Sequence, residues 1–294
     1  MIHTDILSYG GARYLKWALV LISLSLLVYV NQFNGVQPPN GGTWQGYTTG
    51  TVGALLILWL SILGIRKRQY RSNVGSVAGW TSAHVYLGTA VLVVATFHSS
   101  AQIGWNIHSL AYVLLCVVVF SGFFGIYLYL SLPRKSLAAR NGRSREQLFD
   151  ELHTLNDEAK SLAQNCSTEI SVSVDSAVNG TKIGGNSLTQ IRGSDKSVMQ
   201  IEIDGRSKQV SNKDQKQILS LIAERLPSAL KETEVKPLRE LLSVMSRRQV
   251  LVRRINTDIR LQASMRFWLF VHVPFTVALI VSLVIHIIVT FLYW

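Results

Sequence analysis

The chain has 294 residues, of which 48% are hydrophobic, and its formal net charge is +12. Five apolar stretches are each long enough to cross a ~30 Å hydrocarbon core, and they contain almost no ionisable residue except histidine. This pattern excludes a wholly soluble globular protein. We attribute the positive charge to membrane topology and to attraction by a lipid bilayer, and we expect no nucleic-acid partner.

The predicted spans cover residues 14–31, 49–65, 79–101, 107–132 and 267–294. Asp5 and a polar lead precede the first span and no small-residue cleavage site follows it, so we expect a retained span and not a signal peptide. The sequence therefore predicts an all-α transmembrane helical bundle. Its first four spans lie in residues 1–132, and the fifth, residues 267–294, packs back onto the bundle.

The distribution of charge predicts the orientation of these spans. Arg13 precedes the first span and Lys16 lies at its edge, and four of the residues 66–71 are Lys or Arg. All other Lys and Arg lie in residues 134–266, whereas the connections 32–48 and 102–106 contain no charged residue. The positive-inside rule then places the N-terminus, the 66–77 loop and residues 133–266 in the cytoplasm. We expect a multi-pass protein of a bacterial inner (plasma) membrane with a periplasmic C-terminus.

Residues 133–266 are predicted to form a small cytoplasmic α+β domain inserted before the last span. Apolar residues at helical spacing predict a helix over 144–164, and alternating runs predict short strands at 169–174, around 189–191 and at 198–203. Asp204–Gly205 is a predicted hairpin turn, and Ser211 a predicted N-cap for a helix that ends before Pro227. A further helix is expected from Lys236. No dinucleotide-binding or P-loop pattern occurs in this segment.

The most informative pattern is a pair of histidines fourteen residues apart, which occurs twice: His84 with His98, and His272 with His286. Fourteen residues are just under four helical turns, so both histidines of a pair lie on one helix face, roughly 21 Å apart. Each pair begins about five residues into a span that runs from inside to outside. If the third and fifth spans are neighbours, His84 faces His272 and His98 faces His286. A histidine inside a span costs free energy unless it has a partner. Two facing imidazoles can serve as the two axial ligands of one haem iron.

Other residues have weaker predicted roles. His108 opens the fourth span on the outer side, where it ligates in place of His98, serves an outer quinone site, or is an interfacial histidine without a role. Arg71 and Arg266 are candidates for the propionates of an inner haem. Ser282, one turn before His286, is a candidate partner for the second ring nitrogen of that histidine, although a backbone carbonyl would also serve. The absence of C-x-x-C patterns excludes c-type haem attachment and an iron–sulfur cluster made by this chain alone.

This arrangement resembles di-haem b-type membrane cytochromes, both the respiratory cytochrome b core and the membrane domain of ferric reductases and NADPH oxidases. The second resemblance is closer, because in that family the ligands lie on the third and fifth spans and the fourth-to-fifth connection is cytoplasmic. His84, His98, His272 and His286 match the four ligand positions, and the resemblance covers residues 79–132 and 267–294. In this sequence no flavin or nicotinamide domain follows the last span, an inserted domain replaces the short connection, and the quinol-site signatures of cytochrome b are missing.

The sequence thus predicts transmembrane electron transfer through two b-type haems, as an electron-transfer subunit more than as a stand-alone enzyme. A quinone, a periplasmic cytochrome or a cytoplasmic reductase would be the redox partner. Two alternatives stay open. One is a haem-based redox sensor or assembly factor with the inserted domain as its output, and the other is a metal or haem transporter with a histidine-lined path.

Overall fold

The computed structural model of the chain describes residues 6–32, 41–69, 74–203, 206–228 and 232–292. These residues divide into two compact units. The first, here called the span unit, comprises Met1–Leu130 and Phe267–Trp294. The second, the inserted unit, comprises Ser131–Arg266.

The span unit consists of helices. They are α1 (Tyr9–Gln32), α2 (Trp44–Ser61), α3 (Leu63–Arg68), α4 (Val77–Ser99), the beginning of α5 (Ile107–Arg140) and the end of α10 (Glu232–Leu292). Within the described residues, five helical segments are long and apolar enough to cross a membrane, which confirms the predicted number of candidate spans. The second candidate span contains both α2 and α3.

Short polar side chains begin several of these helices. Thr43 Oγ1 accepts a hydrogen bond from the Gly46 amide at 3.1 Å, and Ser76 Oγ accepts one from the Gly79 amide at 3.0 Å. These N-caps satisfy amide groups that have no partner inside the first helical turn. They therefore determine where α2 and α4 start.

The core of the span unit brings α2, α4, α5 and α10 together. Its buried members are Leu60, Val91, Leu115 and Leu279. Val91 lies seven residues from both His84 and His98, and Leu279 lies seven residues from both His272 and His286. Because seven residues are nearly two helical turns, each of these apolar residues lies on the same helix face as its two histidines.

The inserted unit is mostly helical and contains one β-hairpin. Its helices are α6 (Arg145–Gln164), α7 (Thr168–Asn179), α8 (Ser187–Arg192), α9 (Lys216–Arg225) and the first part of α10, and its strands are β1 (Val198–Ile203) and β2 (Arg206–Ser211). The strands pair antiparallel, with Val198 opposite Ser211 and Ile203 opposite Arg206. The predictions of α6, of β1 and of a helix after residue 236 are confirmed. The predicted turn at residues 204–205 lies outside the described residues.

Three local predictions are wrong. Residues 169–174 belong to α7 and residues 189–191 to α8, so neither forms a strand. In α7 the buried positions are 170, 173, 174, 177 and 178, a helical period that a six-residue window of alternating Ile and Val does not reveal. Ser211 ends β2, and α9 begins only at Lys216, after a short 3₁₀ turn over Lys213–Gln215. Ser211 is therefore not the N-cap of that helix.

A buried carboxylate connects α5, α6 and α10 inside the inserted unit. The side chain of Asp258 is 2% exposed, and Arg145 Nη2 donates to its Oδ2 at 2.6 Å. Ser136 donates to Oδ1, and Arg140 Nε lies 3.4 Å from the same oxygen. A carboxylate out of water needs such partners, so this cluster ties the three helices together.

A second buried polar centre surrounds Arg248, which is 1% exposed. Its guanidinium donates to Asn156 Oδ1, Gln215 Oε1 and Thr181 Oγ1, each at 2.7 Å. Burial lowers the pKa of Arg248 to about 10, which still leaves the group charged at neutral pH. One side chain of α10 thus satisfies acceptors from α6, from the residues after α7 and from the residues before α9.

We expect Arg248→Ala to destabilise the inserted unit by about 3 kcal/mol or more, because it leaves buried acceptors without donors at a cost of about 1–3 kcal/mol each. Arg253→Ala, on the same helix, is the matched control. Arg253 pairs with Asp214, but its side chain is 59% exposed, so its loss should cost at most about 1 kcal/mol. The rate of native-state proteolysis within residues 131–266 of the purified full chain measures both effects, and equal rates in the two variants would contradict the prediction.

Candidate functional site

The structure brings the predicted histidine pairs together. The ring centroids of His84 and His272 are 6.5 Å apart, and those of His98 and His286 are 6.2 Å apart. The ring planes cross at 65° in the first pair and at 78° in the second. Here His84 and His272 are called the inner pair, and His98 and His286 the outer pair, after the sides predicted from the charge distribution.

The two separations have a chemical meaning. Because imidazole–metal bonds are about 2.0–2.1 Å long and a ring nitrogen lies about 1.1 Å from the ring centre, two imidazoles on opposite sides of one metal ion have centres about 6.3 Å apart. Both pairs lie close to this separation. The separation of the ring centres thus matches the value for one metal ion with two axial imidazole ligands, the arrangement found in bis-histidine haem proteins.

Hydrogen bonds on α4 determine which ring nitrogen is available for a metal. His84 Nδ1 lies 3.1 Å from the Leu60 carbonyl oxygen, and His98 Nδ1 lies 2.9 Å from the Gly46 carbonyl oxygen. Since a carbonyl only accepts, both Nδ1 atoms carry the proton and donate it. The lone pair of Nε2 then remains for a metal, and the ring orientation is fixed by the second nitrogen, as is usual for histidine ligands.

Both carbonyls belong to α2. Leu60 lies at its end, where the helix is interrupted and the Ile62 amide bonds to the Trp59 carbonyl at 3.1 Å. Gly46 lies in the first turn, and Gly50 follows one turn later. A Cβ atom added at Gly50 would lie 2.8 Å from His98 Cε1, so only glycine allows α2 to approach this imidazole closely. The sequence predicted a span here but not its contacts with the histidines, although Gly46, Gly50 and Gly53 at helical spacing were a visible signal.

On the other side of the inner pair, α5 holds His272. Ser121 Oγ lies 2.8 Å from His272 Nδ1 and 2.8 Å from the Val118 carbonyl oxygen. Because the single hydroxyl proton goes to that carbonyl, Ser121 accepts the proton of His272 Nδ1. The Nε2 atom of His272 is thereby left for a metal, as in the two histidines of α4.

Glycines of α5 let α10 approach. Trp268 Nε1 donates to the Ser121 carbonyl at 2.8 Å, and the Trp268 ring lies 5.2 Å from that of His272. A Cβ atom added at Gly125 would lie only 2.1 Å from Trp268, whereas one at Gly122 would be 3.8 Å from His272. Gly125 thus permits the close contact between α5 and α10.

In the outer pair the second ring nitrogen of His286 meets another histidine. His108 Nδ1 lies 2.5 Å from His286 Nδ1, and the two rings are 4.6 Å apart at 85°. This contact is too close for a metal ion to lie between them. His108, and not the predicted Ser282, is therefore the partner of the second ring nitrogen of His286. The ring centroid of His98 lies at the larger separation of 6.2 Å from that of His286.

The remaining candidates contribute less. Arg71 lies outside the described residues, and Arg266 is exposed on α10 in the inserted unit, so their role at haem propionates stays a prediction. Within the described parts of the chain, no cluster of three or more His, Cys, Asp or Glu has the arrangement of a metal site. Each histidine pair thus offers two protein ligands, which is too few for tetrahedral zinc but is the number that a haem iron takes from a protein.

We expect Gly50→Ala to lower the thermal unfolding midpoint of the detergent-solubilised protein, because the added Cβ would collide with the His98 ring. Gly64→Ala is the control, since a Cβ atom there meets no atom within 4 Å. Alanine is favoured over glycine within helices by up to about 1 kcal/mol, so Gly64→Ala should leave the midpoint unchanged or raise it. A Gly50→Ala midpoint equal to that of Gly64→Ala would contradict the contact with His98.

Comparison with protein-family models, with curated proteins and with solved structures gives no match in any of the three. What supports a cofactor site in this protein is therefore its own geometry. Two pairs of imidazoles face each other at a metal-spanning separation, and in the three histidines whose Nδ1 meets a carbonyl or hydroxyl oxygen, that nitrogen is the donor.

Proposed function

We propose that this protein is a membrane-embedded electron carrier that holds two b-type haems, one in the inner pair and one in the outer pair. The observation that carries the proposal is the separation of the ring centroids, 6.5 and 6.2 Å, close to the value for two axial imidazoles on one iron. Direct hydrogen bonding between imidazoles is the rival explanation, and the 4.6 Å separation of His108 and His286 illustrates how much closer such rings lie.

The protein's contribution is to hold, orient and insulate the cofactors. His84, His98, His272 and His286 would be the axial ligands, and a bound haem supplies the one-electron iron chemistry. Val91 and Leu279, 1% and 3% exposed, form part of an apolar layer at the level midway between the two pairs along α4 and α10. Such a layer excludes water from the region between the two sites.

A lipid environment for the span unit is supported by its outer surface. Large apolar side chains point away from the packed helices, among them Phe270 at 76% and Phe291 at 72% exposed. Apolar surface of this extent is unfavourable in water and suits a hydrocarbon core. Together with the charge distribution, this supports a bacterial inner-membrane protein whose N-terminus and inserted unit are cytoplasmic.

Fourteen residues along a helix place the two sites of each helix roughly 21 Å apart, near opposite faces of the bilayer core. Electrons would therefore cross most of the membrane inside the protein. The spans contain no Asp or Glu, so nothing suggests a carboxylate proton relay beside this path. The redox partner that donates or accepts these electrons would be a quinone, a periplasmic cytochrome or a cytoplasmic reductase.

A redox sensor is the second candidate function, and one observation favours it. Helix α10 belongs to both units, because its first part lies in the inserted unit and its last part carries His272 and His286. The inserted unit also has a core of its own, made by α6, α7, β1, α9 and α10. A transporter is supported less, since among the described residues each pair offers two imidazoles and no larger group of metal ligands is found.

We expect the purified protein to contain two haems per chain in a pyridine haemochrome assay and to show b-type bands in a dithionite-reduced minus oxidised spectrum. His84→Ala and His98→Ala should each lose one haem, because each removes one axial ligand of one pair. His153→Ala, an exposed histidine on α6, should retain two. A wild-type chain without haem, or a full haem content in both His84→Ala and His98→Ala, would overturn the proposal.

Transfer across the membrane separates the carrier from the sensor. In sealed vesicles of bacterial phospholipid with ferricyanide trapped inside, we expect externally added dithionite to reduce the trapped ferricyanide only when the protein is present. His98→Ala should slow this transfer at least tenfold while the inner haem is still reduced. Two bound haems without transfer would reject the carrier and favour the sensor.

A further inference from the structure

We infer that His108 is a positioning residue of the outer haem site, where it accepts a hydrogen bond from His286 Nδ1 and so orients this axial ligand and strengthens its Nε2 as a donor. This inference rests on the proposed function. It assigns His108 a role that differs from an axial ligand and from an interfacial residue.

Only one assignment of donor and acceptor is consistent with the proton positions in this contact. Two Nδ1 atoms 2.5 Å apart share a single proton, so one donates and the other accepts. If His286 binds iron through Nε2, its proton is on Nδ1 and it is the donor. His108 is then the acceptor and carries its own proton on Nε2. An imidazole that accepts in this way increases the basicity of the ligating nitrogen.

Hydrogen bonds fix the backbone on both sides of His108. His108 is the second residue of α5, and Asn106 Oδ1 caps the helix by accepting from the Ser109 amide at 2.9 Å. Ser109 is buried, and its Oγ accepts from the Gly104 amide at 2.8 Å. The loop before α5 is thus tied to the first turn on both sides of His108, which fixes the backbone position from which its exposed ring reaches His286.

The inner and outer pairs differ in this respect. The other three ligands donate to oxygen atoms, namely the carbonyls of Leu60 and Gly46 and the hydroxyl of Ser121. Only His286 among the four donates to a ring nitrogen, which is a stronger acceptor than a hydroxyl oxygen. A more basic axial ligand stabilises Fe(III) over Fe(II), so His108 should lower the midpoint potential of the outer haem.

The test is a spectroelectrochemical titration of both haems in wild-type protein and variants. We expect His108→Ala to keep two haems and to weaken the preference of the outer iron for Fe(III) about tenfold, an upward shift of about 59 mV for one electron. His108→Gln, which retains an acceptor, should restore part of the shift. Ser121→Ala should move the other haem, which identifies the two couples, and His153→Ala should move neither.

A second readout is the low-spin electron paramagnetic resonance signal of the oxidised haems, which depends on the angle between the axial ring planes. The outer planes cross at 78° in the structure. We expect His108→Ala to alter this signal for the outer haem alone, because His286 loses the partner that fixes its ring. A role limited to the local fold near residue 108 would leave both the potential and this signal unchanged.

Three outcomes would overturn the inference, and they are distinguishable. Unchanged potential and resonance in His108→Ala, with both haems present, would reject the positioning role and leave the proposed function intact. Loss of the outer haem in His108→Ala but not in His98→Ala would make His108 the axial ligand. A wild-type chain without haem would remove the proposed function and this inference together.

Discussion

The whole arrangement depends on the equal spacing of histidines along α4 and α10. Each helix carries histidine, a buried apolar residue and histidine at intervals of seven, as His84, Val91 and His98 and as His272, Leu279 and His286. Val91 and Leu279 meet in one core cluster, and the imidazoles on either side of them meet at 6.5 and 6.2 Å. A shift of one helix by a single turn, about 5.4 Å, would separate both pairs at once. Both candidate sites therefore depend on a single register of α4 and α10, in which Val91 and Leu279 belong to one buried cluster.

The neighbouring helices act on these sites through the second ring nitrogens. Helix α2 supplies two carbonyls, that of Gly46 in its first turn and that of Leu60 beside the interruption before α3. Helix α5 supplies Ser121 to the inner pair and His108 to the outer pair. Because α2 and α5 each reach both pairs, a change in either helix affects the inner and the outer site. This explains why glycine is needed at Gly50 and Gly125, where side chains would push these helices away.

The proximity of the histidine pairs could be predicted because side chains at helical spacing leave a periodic signal in the sequence. The hydrogen-bond partners of these histidines could not be predicted. Every residue has a backbone carbonyl, so the sequence does not mark the ones that accept, and Ser121 looks like any other small residue of a span. The contact of His108 with His286 depends on how the short connection 102–106 folds. In the inserted unit, short windows of alternating Ile and Val predicted strands where the longer period of buried residues in α7 is helical. Local alternation was thus overridden by packing against the core.

The number of protein ligands is an argument for the proposed haem over a bare metal ion at these sites. Tetrahedral zinc takes three or four protein ligands, and each gap between α4 and α10 presents two imidazoles. A porphyrin supplies the four equatorial nitrogens of its iron, so two axial imidazoles complete the coordination. In the outer site a third imidazole is present, but the 2.5 Å contact commits the Nδ1 of His108 to His286. In the function that we propose, the extra histidine therefore acts on His286, and both sites would use one imidazole from α4 and one from α10.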